Sequence, residues 1–477
     1  MARLLFAASE AYPLIKTGGL ADVAGALPEV LRQKGLDVRL LLPGYRHILQ
    51  RIEPPKAVAE VELAGTRVRI LETLLPGTGV QTWLLEHPLF SERPGNPYYD
   101  DQLVSWADNA ERFLLFSRLA AAISSGDTPV EWRPDVLHCN DWHTGPAIAL
   151  LQPFERRPRT VFTIHSLAHM GMFDRGTFER LQLPEYLWHP DAMEFYNNVC
   201  FIKGGLVYAD WVTTVSPTYA EEICHAPGGL GLEGLLQHRR DRLVGILNGI
   251  DHSVWDPATD PLLEHHYDET SLDGKHRNKA ALQQSLGLHC RGDLPLLGFV
   301  GRLTEQKGLE LLLPVLDQVL DLPAQVVILG TGEPAYERAL QAVAARRPES
   351  MAVLLAYNEG LAHGIEAAAD IFLMPSLFEP CGLNQLYSLR YGTLPVVRAV
   401  GGLADTVVDA SPPNLEAGAA TGFAFREASA GTLLDTIRRA TTLWYDRALW
   451  EGLQRTAMQQ DFSWETSAER YMALYGA

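Results

Sequence analysis

Short apolar runs of strand length alternate, along the first half of the chain, with stretches whose apolar residues recur every three or four positions. The runs of strand length lie at 2–8, 38–42, 57–63, 66–75, 79–85, 135–139, 159–164 and 211–215. Helical spacing occurs at 20–34, 106–123 and 217–224. Most of this pattern is strand–helix alternation, which predicts a mainly parallel sheet with helices on both faces.

The alternation stops at 247–261, where turn-forming residues show no periodicity, and then resumes at a shorter spacing. The new runs of strand length lie at 295–300, 325–329, 352–356, 370–374, 394–397 and 422–425. We therefore predict an α/β fold with two Rossmann-like, doubly wound lobes over 1–246 and 262–458, joined by a linker at 247–261. Because ligands of such sheets bind at the carboxyl ends of the strands, we expect the site in a deep cleft between the lobes.

Length and charge narrow the class of protein. The chain has 477 residues, more than one hydrophobic core comfortably supports, and a formal net charge of −18 that repels nucleic acid and anionic lipid. No apolar run approaches the ~18 residues of a membrane span, and the five cysteines are scattered without a C-x-x-C pair. These features predict a cytoplasmic protein without a disulfide framework, a zinc site, a nucleic-acid partner or a membrane partner.

The phrase G-G-L-A-D occurs twice, each time between a predicted strand and a predicted helix. The first copy follows a lysine and a threonine, as Lys16-Thr17-Gly18-Gly19, and the second begins at Gly401. Glycines that let the backbone approach a ligand, a helix N-terminus and a lysine together suit an anion such as a diphosphate. The second copy has no lysine, so there we expect the glycines to serve the turn and the alanine and leucine to serve packing.

A second candidate for binding an anion is G-F-V-G-R-L-T-E-Q-K-G, at 298–308. It follows a predicted strand, which places Arg302 and Lys307 on the loop at the carboxyl end of that strand. The planar fork of an arginine and the point charge of a lysine make a good clamp for a diphosphate.

The stretch P-S-L-F-E-P-C-G-L-N-Q-L-Y, at 375–387, also joins a predicted strand to a predicted helix. Three backbone amides there are placed to face a phosphate, those of Cys381, Gly382 and Leu383. Glu379 suits the sugar part of the same ligand, since a carboxylate accepts hydrogen bonds from hydroxyl groups. Cys381 is also a conceivable nucleophile, but a small buried thiol is the commoner case.

In the N-terminal lobe the predicted strand at 135–139 ends in H-C-N-D-W-H. A carboxylate next to a tryptophan, here Asp141 and Trp142, is a usual way to hold a sugar ring. His165 ends the next predicted strand. A metal site built from His138, Asp141 and His143 is the alternative, although the spacing matches no zinc pattern.

The loop I-L-G-T-G-E-P-A, at 328–335, fits the pattern G-x-G-x-x-A after a strand. A dehydrogenase would use such a loop for NAD, but the match lies in the middle of the chain and contains a proline. The following predicted strand leads to Tyr357, an aromatic residue that could stack on a nucleotide base.

Taken in order, these motifs resemble those of bacterial glycogen synthases and plant starch synthases. They are K-T-G-G-L-A-D, H-x-x-D-W-H, N-G-I-D, R-L-T-x-Q-K-G, S-x-F-E-P-C-G-L-x-Q and G-G-L-A-D-T-V. The resemblance runs from residue 1 to about residue 475. It implies a B-type glycosyltransferase fold and the transfer of glucose from ADP-glucose, with retention, to the non-reducing-end 4-hydroxyl of an α-1,4-glucan such as glycogen. It also implies that the last segment, 459–477, packs back on the N-terminal lobe.

The resemblance assigns roles to residues of this chain. Catalytic roles fall to Glu379, Arg302, Lys307, Asp141 and His165, the two cations neutralising the leaving ADP. Donor-binding roles fall to Lys16, Gly18, Gly19, Asn248, Tyr357, Cys381, Gly382 and Leu383. The residues implied to line the cleft for sugar or acceptor are Asp22, Tyr98 and Trp142.

Four positions depart from the family pattern. The family commonly has asparagine at 166, arginine at 377, threonine at 384 and often threonine at 400. This chain has Ser166, Leu377, Asn384 and Val400. Because Arg302, Lys307 and Glu379 are intact, we expect activity to be retained.

The chemistry is consistent with that assignment. Negative charge develops on the leaving phosphate, and we expect cations of the protein to stabilise it. No pair of carboxylates typical of a retaining hydrolase is evident, and there is no D-x-D motif for a metal–diphosphate bridge. We therefore expect no metal or other cofactor. The alternatives are an inactive glucan-binding or regulatory protein of the same fold, a glucan phosphorylase, which would need a pyridoxal-phosphate lysine, and the dehydrogenase.

Overall fold

The computed structural model describes residues 1–100 and 104–476 and divides the chain into two compact units. Unit 1 comprises residues 1–249 together with the C-terminal segment from Trp464, and unit 2 comprises Ile250–Ser463. The linker predicted at 247–261 is thus divided between the units after Gly249. No helix among the described residues is long and apolar enough to cross a membrane.

In the residues that the structure describes, unit 1 is built on one large sheet and one small sheet. Its strands are β1 (Arg3–Ala7), β2 (Asp37–Pro43), β3 (Lys56–Leu63), β4 (Thr66–Leu74), β5 (Gln81–Glu86), β6 (Val136–Asn140), β7 (Arg159–Ile164), β8 (Met172–Asp174), β9 (Glu194–Phe195), β10 (Asn198–Cys200), β11 (Trp211–Thr214) and β12 (Leu243–Gly245). The large sheet has the order β12-β11-β7-β6-β1-β2-β5-β4-β3, and β8, β10 and β9 form the small sheet.

Most neighbouring strands in the large sheet are parallel, as strand–helix alternation predicts, but two pairs are antiparallel. β3 and β4 pair antiparallel because they are joined by the tight turn at Ala64-Gly65, and β4 and β5 also pair antiparallel. The order of the strands changes direction at β1, whose two neighbours, β2 and β6, come from different parts of the chain. The carboxyl ends of β1 and β6 therefore form the topological switch point of this sheet.

Nine helices of unit 1 precede residue 250 in the described part of the chain. They are α1 (Gly19–Gln33), α2 (Arg46–Arg51), α3 (Pro88–Ser91), α4 (Asn109–Ser125), α5 (Gly145–Leu150), α6 (Arg175–Arg180), α7 (Phe201–Tyr208), α8 (Pro217–Glu222) and α9 (Glu233–His238), with short 3-10 turns at Glu185–Leu187 and Arg240–Arg242. Helix α1 buries the face formed by Leu20, Val23, Leu27 and Leu31, whose spacing of three or four residues matches the helical period.

Unit 2 contains a single parallel sheet with the order β15-β14-β13-β16-β17-β18 in the described residues. Its strands are β13 (Leu296–Val300), β14 (Gln325–Leu329), β15 (Met351–Leu354), β16 (Ile371–Met374), β17 (Leu394–Arg398) and β18 (Phe423–Phe425). This is the Rossmann order, with the switch point between the carboxyl ends of β13 and β16.

The helices of unit 2 cover both faces of that sheet. They are α10 (Asp273–Ser285), α11 (Leu309–Leu312), α12 (Leu316–Leu320), α13 (Pro334–Arg346), α14 (Glu359–Ala368), α15 (Asn384–Arg390), α16 (Gly401–Thr406), α17 (Pro412–Glu416), α18 (Ala430–Trp444) and α19 (Arg447–Met458), with 3-10 turns at Glu305–Lys307 and Leu313–Val315. Leu297 and Phe299 of β13 join the core on one face, and Leu296 joins the core on the other. This alternation of side chains is what a strand buried on both faces requires.

The segment predicted as a linker contributes to the core of unit 2. The Trp255 ring is stacked between the rings of His363 and Tyr387, with centroid distances of 3.7 Å on both sides. Asp260 is buried and accepts hydrogen bonds from the Tyr391 hydroxyl and from His363 Nδ1, each at 2.7 Å. Residues 250–260 are therefore fastened to unit 2 by aromatic packing and by buried polar contacts.

The last helix, α20 (Trp464–Tyr475), belongs to unit 1 and packs against α1. Its Tyr475 hydroxyl lies 2.7 Å from His138 Nδ1 on β6. Ala477, the end of the segment predicted to pack back on this lobe, lies outside the described residues.

Candidate active site

In unit 1, the loop that follows β1 is organised by the buried carboxyl group of Glu10. Glu10 Oε2 accepts hydrogen bonds from the Thr17 amide at 2.5 Å, the Thr17 hydroxyl at 2.7 Å and the Gly18 amide at 3.3 Å. These bonds fix the backbone of the 16–19 loop (Lys16-Thr17-Gly18-Gly19) at the switch point.

The outer side of the 16–19 loop is open and carries a cation. Gly18 and Gly19 are exposed, and a Cβ added at Gly18 would meet only Glu10 Oε1, at 3.9 Å. Lys16 Nζ forms an ion pair with Asp22 Oδ1 at 2.7 Å, so two of the predicted site residues are in direct contact. The protein thus leaves room for a ligand beside Gly18 and places a lysine next to that space.

The loop after β6 places Asp141 at the other side of the same switch point. Asp141 Oδ1 accepts a hydrogen bond from the His165 amide at 2.8 Å, and the Ser166 amide also bonds to this carboxyl group. His165 Nε2 lies 2.9 Å from Asn140 Oδ1. Asp141 and His165 are therefore brought together at the ends of β6 and β7, as the sequence predicts.

Burial shifts the protonation of these groups. It raises the pKa of Asp141 to about 7, against the effect of the His165 and Ser166 amides. It likewise raises the pKa of Glu10 to about 7, while hydrogen bonds from Thr17 and Gly18 oppose the shift. Burial lowers the pKa of His165 to about 3, so its imidazole is neutral at physiological pH.

The two aromatic residues predicted for the cleft have different surroundings. The Tyr98 ring is stacked on His143 with centroids 4.8 Å apart, and its hydroxyl lies 2.7 Å from Ser9 Oγ. Trp142 is buried against Phe113, with centroids 5.0 Å apart, and has the environment of a core residue, not of an exposed platform for a sugar.

The metal alternative finds no support in the positions of the histidines. Both ring nitrogens of His138 have hydrogen-bonding neighbours, the Tyr475 hydroxyl at 2.7 Å and Thr163 Oγ1 at 2.6 Å. Among the described residues, no group of three or more histidine, cysteine, aspartate or glutamate side chains is arranged to hold a metal ion.

Asn248 is the last predicted site residue of unit 1. Its side chain is buried, and its Oδ1 accepts no hydrogen bond from the residues that the structure describes. A buried carbonyl oxygen without a partner is costly, so this atom is suited to a donor group of a ligand.

In unit 2, an ion pair joins the two loops of the switch point. Lys307 Nζ lies 2.6 Å from Glu379 Oε2, which also accepts a hydrogen bond from the Ser376 hydroxyl at 2.9 Å. Glu379 is only 7% exposed, and a buried carboxylate needs such partners. Arg302 is exposed on the loop after β13 and contacts Gln306 Oε1 at 3.4 Å.

Behind Glu379, the second G-G-L-A-D copy supports the 379–383 loop (Glu379–Leu383). Gly402 donates its amide to the Glu379 carbonyl at 3.1 Å. A Cβ at Gly401 would lie 2.0 Å from that carbonyl oxygen, and a Cβ at Gly402 would lie 2.0 Å from the Cys381 oxygen. The glycines of this copy therefore allow close packing against the 379–383 loop, a use beyond the turn that the sequence predicts. Gly382, with φ +72°, turns the loop into α15.

The remaining candidates of unit 2 lie on neighbouring loops. Tyr357 is 77% exposed between β15 and α14. In the G-x-G loop, a Cβ at Gly332 would lie 2.2 Å from the Leu303 carbonyl oxygen, and the Leu303 amide bonds to the Thr331 carbonyl at 2.9 Å. This loop therefore braces the backbone next to Arg302, and its glycine is used within the protein.

The residues that depart from the family pattern have defined places. Asn384 donates its side-chain amide to the Val300 carbonyl at 2.7 Å. The Leu377 amide bonds to the Gln306 carbonyl at 2.8 Å, and Val400 precedes the first turn of α16. Ser166 donates its backbone amide to the Asp141 carboxyl group, so this hydrogen bond does not depend on which side chain stands at position 166.

Sequence reasoning missed Glu10, Ser9 and Ser376 as parts of these sites. Each lies two or three residues after a strand at a switch point, and a polar residue that closely follows a buried strand was the available signal. Cys381 is buried, as predicted, and all five cysteines are free.

Comparisons with known proteins agree with this arrangement. Residues 3–238 match the family model of the starch synthase catalytic domain, and residues 288–451 match that of glycosyl transferases group 1. The chain is 50% identical to glycogen synthase 1 of Methylococcus capsulatus, over 99% of this chain and 96% of the relative. It is also 50% identical to the glycogen synthase of Cellvibrio japonicus, over 100% and 99%.

A solved structure of a starch synthase is also similar to this chain over its whole length. The catalytic domain of starch synthase IV from Arabidopsis thaliana, solved with ADP and acarbose bound, superposes with a TM-score of 0.89 at 33% identity, covering 100% of this chain and 98% of that one.

Two doubly wound units with charged loops at their switch points define a glycosyltransferase with the B-type fold, which confirms the predicted fold class. The chain belongs to the family of bacterial glycogen synthases and starch synthases. The predicted function as a glycogen synthase is thereby confirmed, and nothing in the comparisons supports the inactive alternative.

Proposed function

We propose that this chain extends an α-1,4-glucan such as glycogen with glucose from ADP-glucose, with retention of configuration and without a metal or other cofactor. The observation that carries the proposal is the group formed by Arg302, Lys307 and Glu379 at the switch point of unit 2. Two cations and one carboxylate on adjoining loops suit a ligand that has a diphosphate at one end and a sugar at the other.

The choice of donor is supported by the starch synthase IV relative, which was solved with ADP and acarbose bound. The exposed Tyr357 ring offers a surface for stacking on a nucleotide base. The absence of a span-forming helix from the described residues and the family membership are compatible with the cytoplasmic location that we propose.

In the reaction that we propose, the protein stabilises charge on the leaving group. Arg302 and Lys307 neutralise the leaving ADP, as preorganised cations do at other sites where charge develops. Glu379, held by Lys307 and Ser376, accepts hydrogen bonds from hydroxyl groups of the transferred glucose. The leaving phosphate takes the proton of the attacking hydroxyl on the same face of the sugar, which retains the configuration.

In unit 1 we assign Lys16 and the 16–19 loop to the donor diphosphate, and Asp141 and His165 to hydroxyl groups of the sugar. Neutral His165 suits that role because Nε2 donates to Asn140 Oδ1, which makes Nδ1 the nitrogen that can accept a hydrogen bond from a hydroxyl group.

The proposal is tested with purified protein, glycogen, and either ADP-glucose or UDP-glucose, in the presence of EDTA. We expect release of ADP and growth of the glucan in equal amounts, with the new linkage α by proton NMR. Growth only after a divalent metal is restored would contradict the metal-free reaction. Turnover with UDP-glucose alone would contradict the choice of donor.

The role of the cation is tested with Lys307→Ala, for which we expect kcat to fall by about 10²–10³-fold, the loss typical of one missing electrostatic contact. Lys56→Ala, which removes an exposed lysine at the edge strand β3, is the matched control and should retain wild-type kcat. Equal rates in the two variants would remove Lys307 from the mechanism.

A further inference from the structure

Glu10 has no role in the function proposed above, yet its carboxyl group is buried and hydrogen-bonded at the switch point of unit 1. It is 4% exposed, and one oxygen, Oε2, receives two hydrogen bonds from Thr17 and one from the Gly18 amide. All three donors belong to the 16–19 loop, so the contacts of this carboxylate are concentrated on a single loop.

These bonds determine which amides of the loop face inward. The amides of Thr17 and Gly18 point to Glu10 and are used within the protein. The next two amides, those of Gly19 and Leu20, lie in the first turn of α1, where backbone N–H groups have no carbonyl partner in the helix. Glu10 therefore turns the loop so that the amide of exposed Gly19, and not that of Thr17 or Gly18, remains for an anion.

The electrostatic surroundings of Glu10 are acidic. Asp22, Asp141, Tyr45 and Tyr98 all interact electrostatically with Glu10, and Lys16 is paired with Asp22. A buried carboxyl group near two others is costly unless it is hydrogen-bonded, and all the hydrogen bonds that Glu10 receives from the described residues come from the 16–19 loop. The main contact of the Glu10 carboxyl group is therefore the loop assigned to the donor.

We propose that Glu10 is a positioning residue that holds the 16–19 loop in the form that binds the donor diphosphate. The inference rests on the proposed function, since it requires that this loop contact the donor. Glu10 acts through the backbone of Thr17 and Gly18 and does not touch the substrate.

The test compares Glu10→Gln and Glu10→Ala with the wild type, with KM measured separately for ADP-glucose and for glycogen. In Glu10→Ala we expect KM for ADP-glucose to rise at least tenfold, with kcat reduced less and KM for glycogen unchanged. A selective rise in KM indicates a loss of binding to the donor. Glu10→Gln keeps one oxygen acceptor and should recover part of the loss.

Asp210→Asn is the control, because Asp210 also accepts hydrogen bonds from the amide and the hydroxyl of one threonine elsewhere in unit 1, although it is paired with Arg157 as well. Its Oδ2 accepts from the Thr160 amide at 2.8 Å and from the Thr160 hydroxyl at 3.0 Å, at the amino end of β11. This variant should lower the melting temperature and leave KM for ADP-glucose unchanged.

The outcomes separate the inference from the proposed function. If the wild type does not use ADP-glucose, the proposed function fails. If the wild type uses it and the Glu10 variants lose only melting temperature, as Asp210→Asn does, Glu10 is merely structural and the inference is overturned. Thr17→Val, which removes only the hydroxyl contact to Glu10, extends the test if Glu10→Ala does not fold, and it should raise KM for ADP-glucose by a smaller factor.

Discussion

Carboxyl side chains of unit 1 show how strongly the local environment determines the chemistry of one residue type. Asp141 is buried, and its pKa is raised to about 7, although two backbone amides donate to it. Asp135 is largely exposed, and hydrogen bonds from Arg3 lower its pKa. The two aspartates lie on either side of β6, only six positions apart in the sequence. Burial prevails at the first and the partner prevails at the second.

The raised pKa of Asp141 predicts a specific dependence of stability on pH. Between about pH 4 and about pH 7 the folded protein binds the Asp141 proton and the unfolded chain does not. The contribution of Asp141 to the free energy of unfolding therefore decreases as the pH rises through this range. Asp141→Asn does not titrate, so its melting temperature should rise relative to that of the wild type from pH 4 to pH 7 and stay level above.

Asp135→Asn is the control for this measurement. The pKa of Asp135 is lowered, so its contribution is complete above its ordinary pKa and is lost only as the pH falls below about 4. The difference between this variant and the wild type should therefore be constant from pH 4 to pH 7. A constant difference for Asp141→Asn as well would show that Asp141 titrates normally in the folded protein.

At the scale of the element, the two copies of G-G-L-A-D have separate uses at the start of a helix. In α1 the glycines are exposed and the space next to Gly18 is open. In α16 the glycines are buried and touch the backbone of Glu379 and Cys381. The same local sequence thus begins a helix in both places, and the neighbouring elements decide whether the glycines face solvent or another loop.

Gly401→Ala tests the supporting role of α16. A Cβ would lie 2.0 Å from the Glu379 carbonyl oxygen, and φ is +43°, so the 379–383 loop must shift. A displacement of about 1 Å at a catalytic group can cost about 10²-fold in rate. We expect kcat for glucan growth to fall by about 10–10²-fold.

Gly364→Ala is the matched control, since Gly364 lies inside α14 and a Cβ there would meet nothing within 4 Å. Alanine at such a position should leave kcat unchanged and raise stability by about 0.4–1 kcal/mol. If Gly401→Ala retains wild-type kcat, the position of Glu379 does not depend on α16.

At the scale of the whole molecule, the chain returns to unit 1 after it has formed unit 2. Helix α20 buries Trp464, Tyr471 and Tyr475 in the core of unit 1, more than 200 residues after the chain left that unit. Burial of large side chains of this kind contributes roughly 1.5–3 kcal/mol each. The stability of unit 1 therefore depends on residues at the opposite end of the sequence.

Tyr475→Phe tests this dependence without changing the shape of the core. It removes the hydroxyl that lies 2.7 Å from His138 Nδ1 and leaves a buried nitrogen without its partner. Such a loss costs about 1–3 kcal/mol. Urea unfolding, monitored by hydrogen exchange of the backbone amides of residues 136–140, should show a lower free energy of unfolding for unit 1.

Tyr445→Phe in unit 2 is the control, because that hydroxyl is on a half-exposed side chain and donates to the Pro323 carbonyl at 3.3 Å. Its unfolding free energy should change by about 0.5 kcal/mol or less, as is usual for surface substitutions. An equal effect of the two substitutions would mean that α20 does not stabilise unit 1 through His138.

Local sequence patterns predict much of this architecture. Apolar runs and turn formers predict most strands of the large sheet of unit 1 and of the sheet of unit 2, because a strand buried on both faces needs a continuous apolar segment. The strands of two or three residues, such as β9 and β12, are too short to carry a periodic signal. The antiparallel pairing of β3 and β4 follows from the tight turn between them, whereas the prediction from strand–helix alternation concerned parallel strands.

The candidate site also combines features that the local sequence predicts with features that depend on the folded chain. Motifs of charged residues and glycines after strands indicate Lys16, Asp141, Arg302, Lys307 and Glu379, since parallel strands bring their carboxyl ends to one edge of a sheet. Whether a given side chain points outward is a matter of contacts between distant segments. Folding buries Trp142 in the core, gives Glu10 its three hydrogen bonds and sets Gly401 against Glu379. Local sequence is sufficient for the strands and for the ends where chemistry occurs, whereas burial, pairing and the protonation of Asp141 depend on neighbours that come together only when the chain is folded.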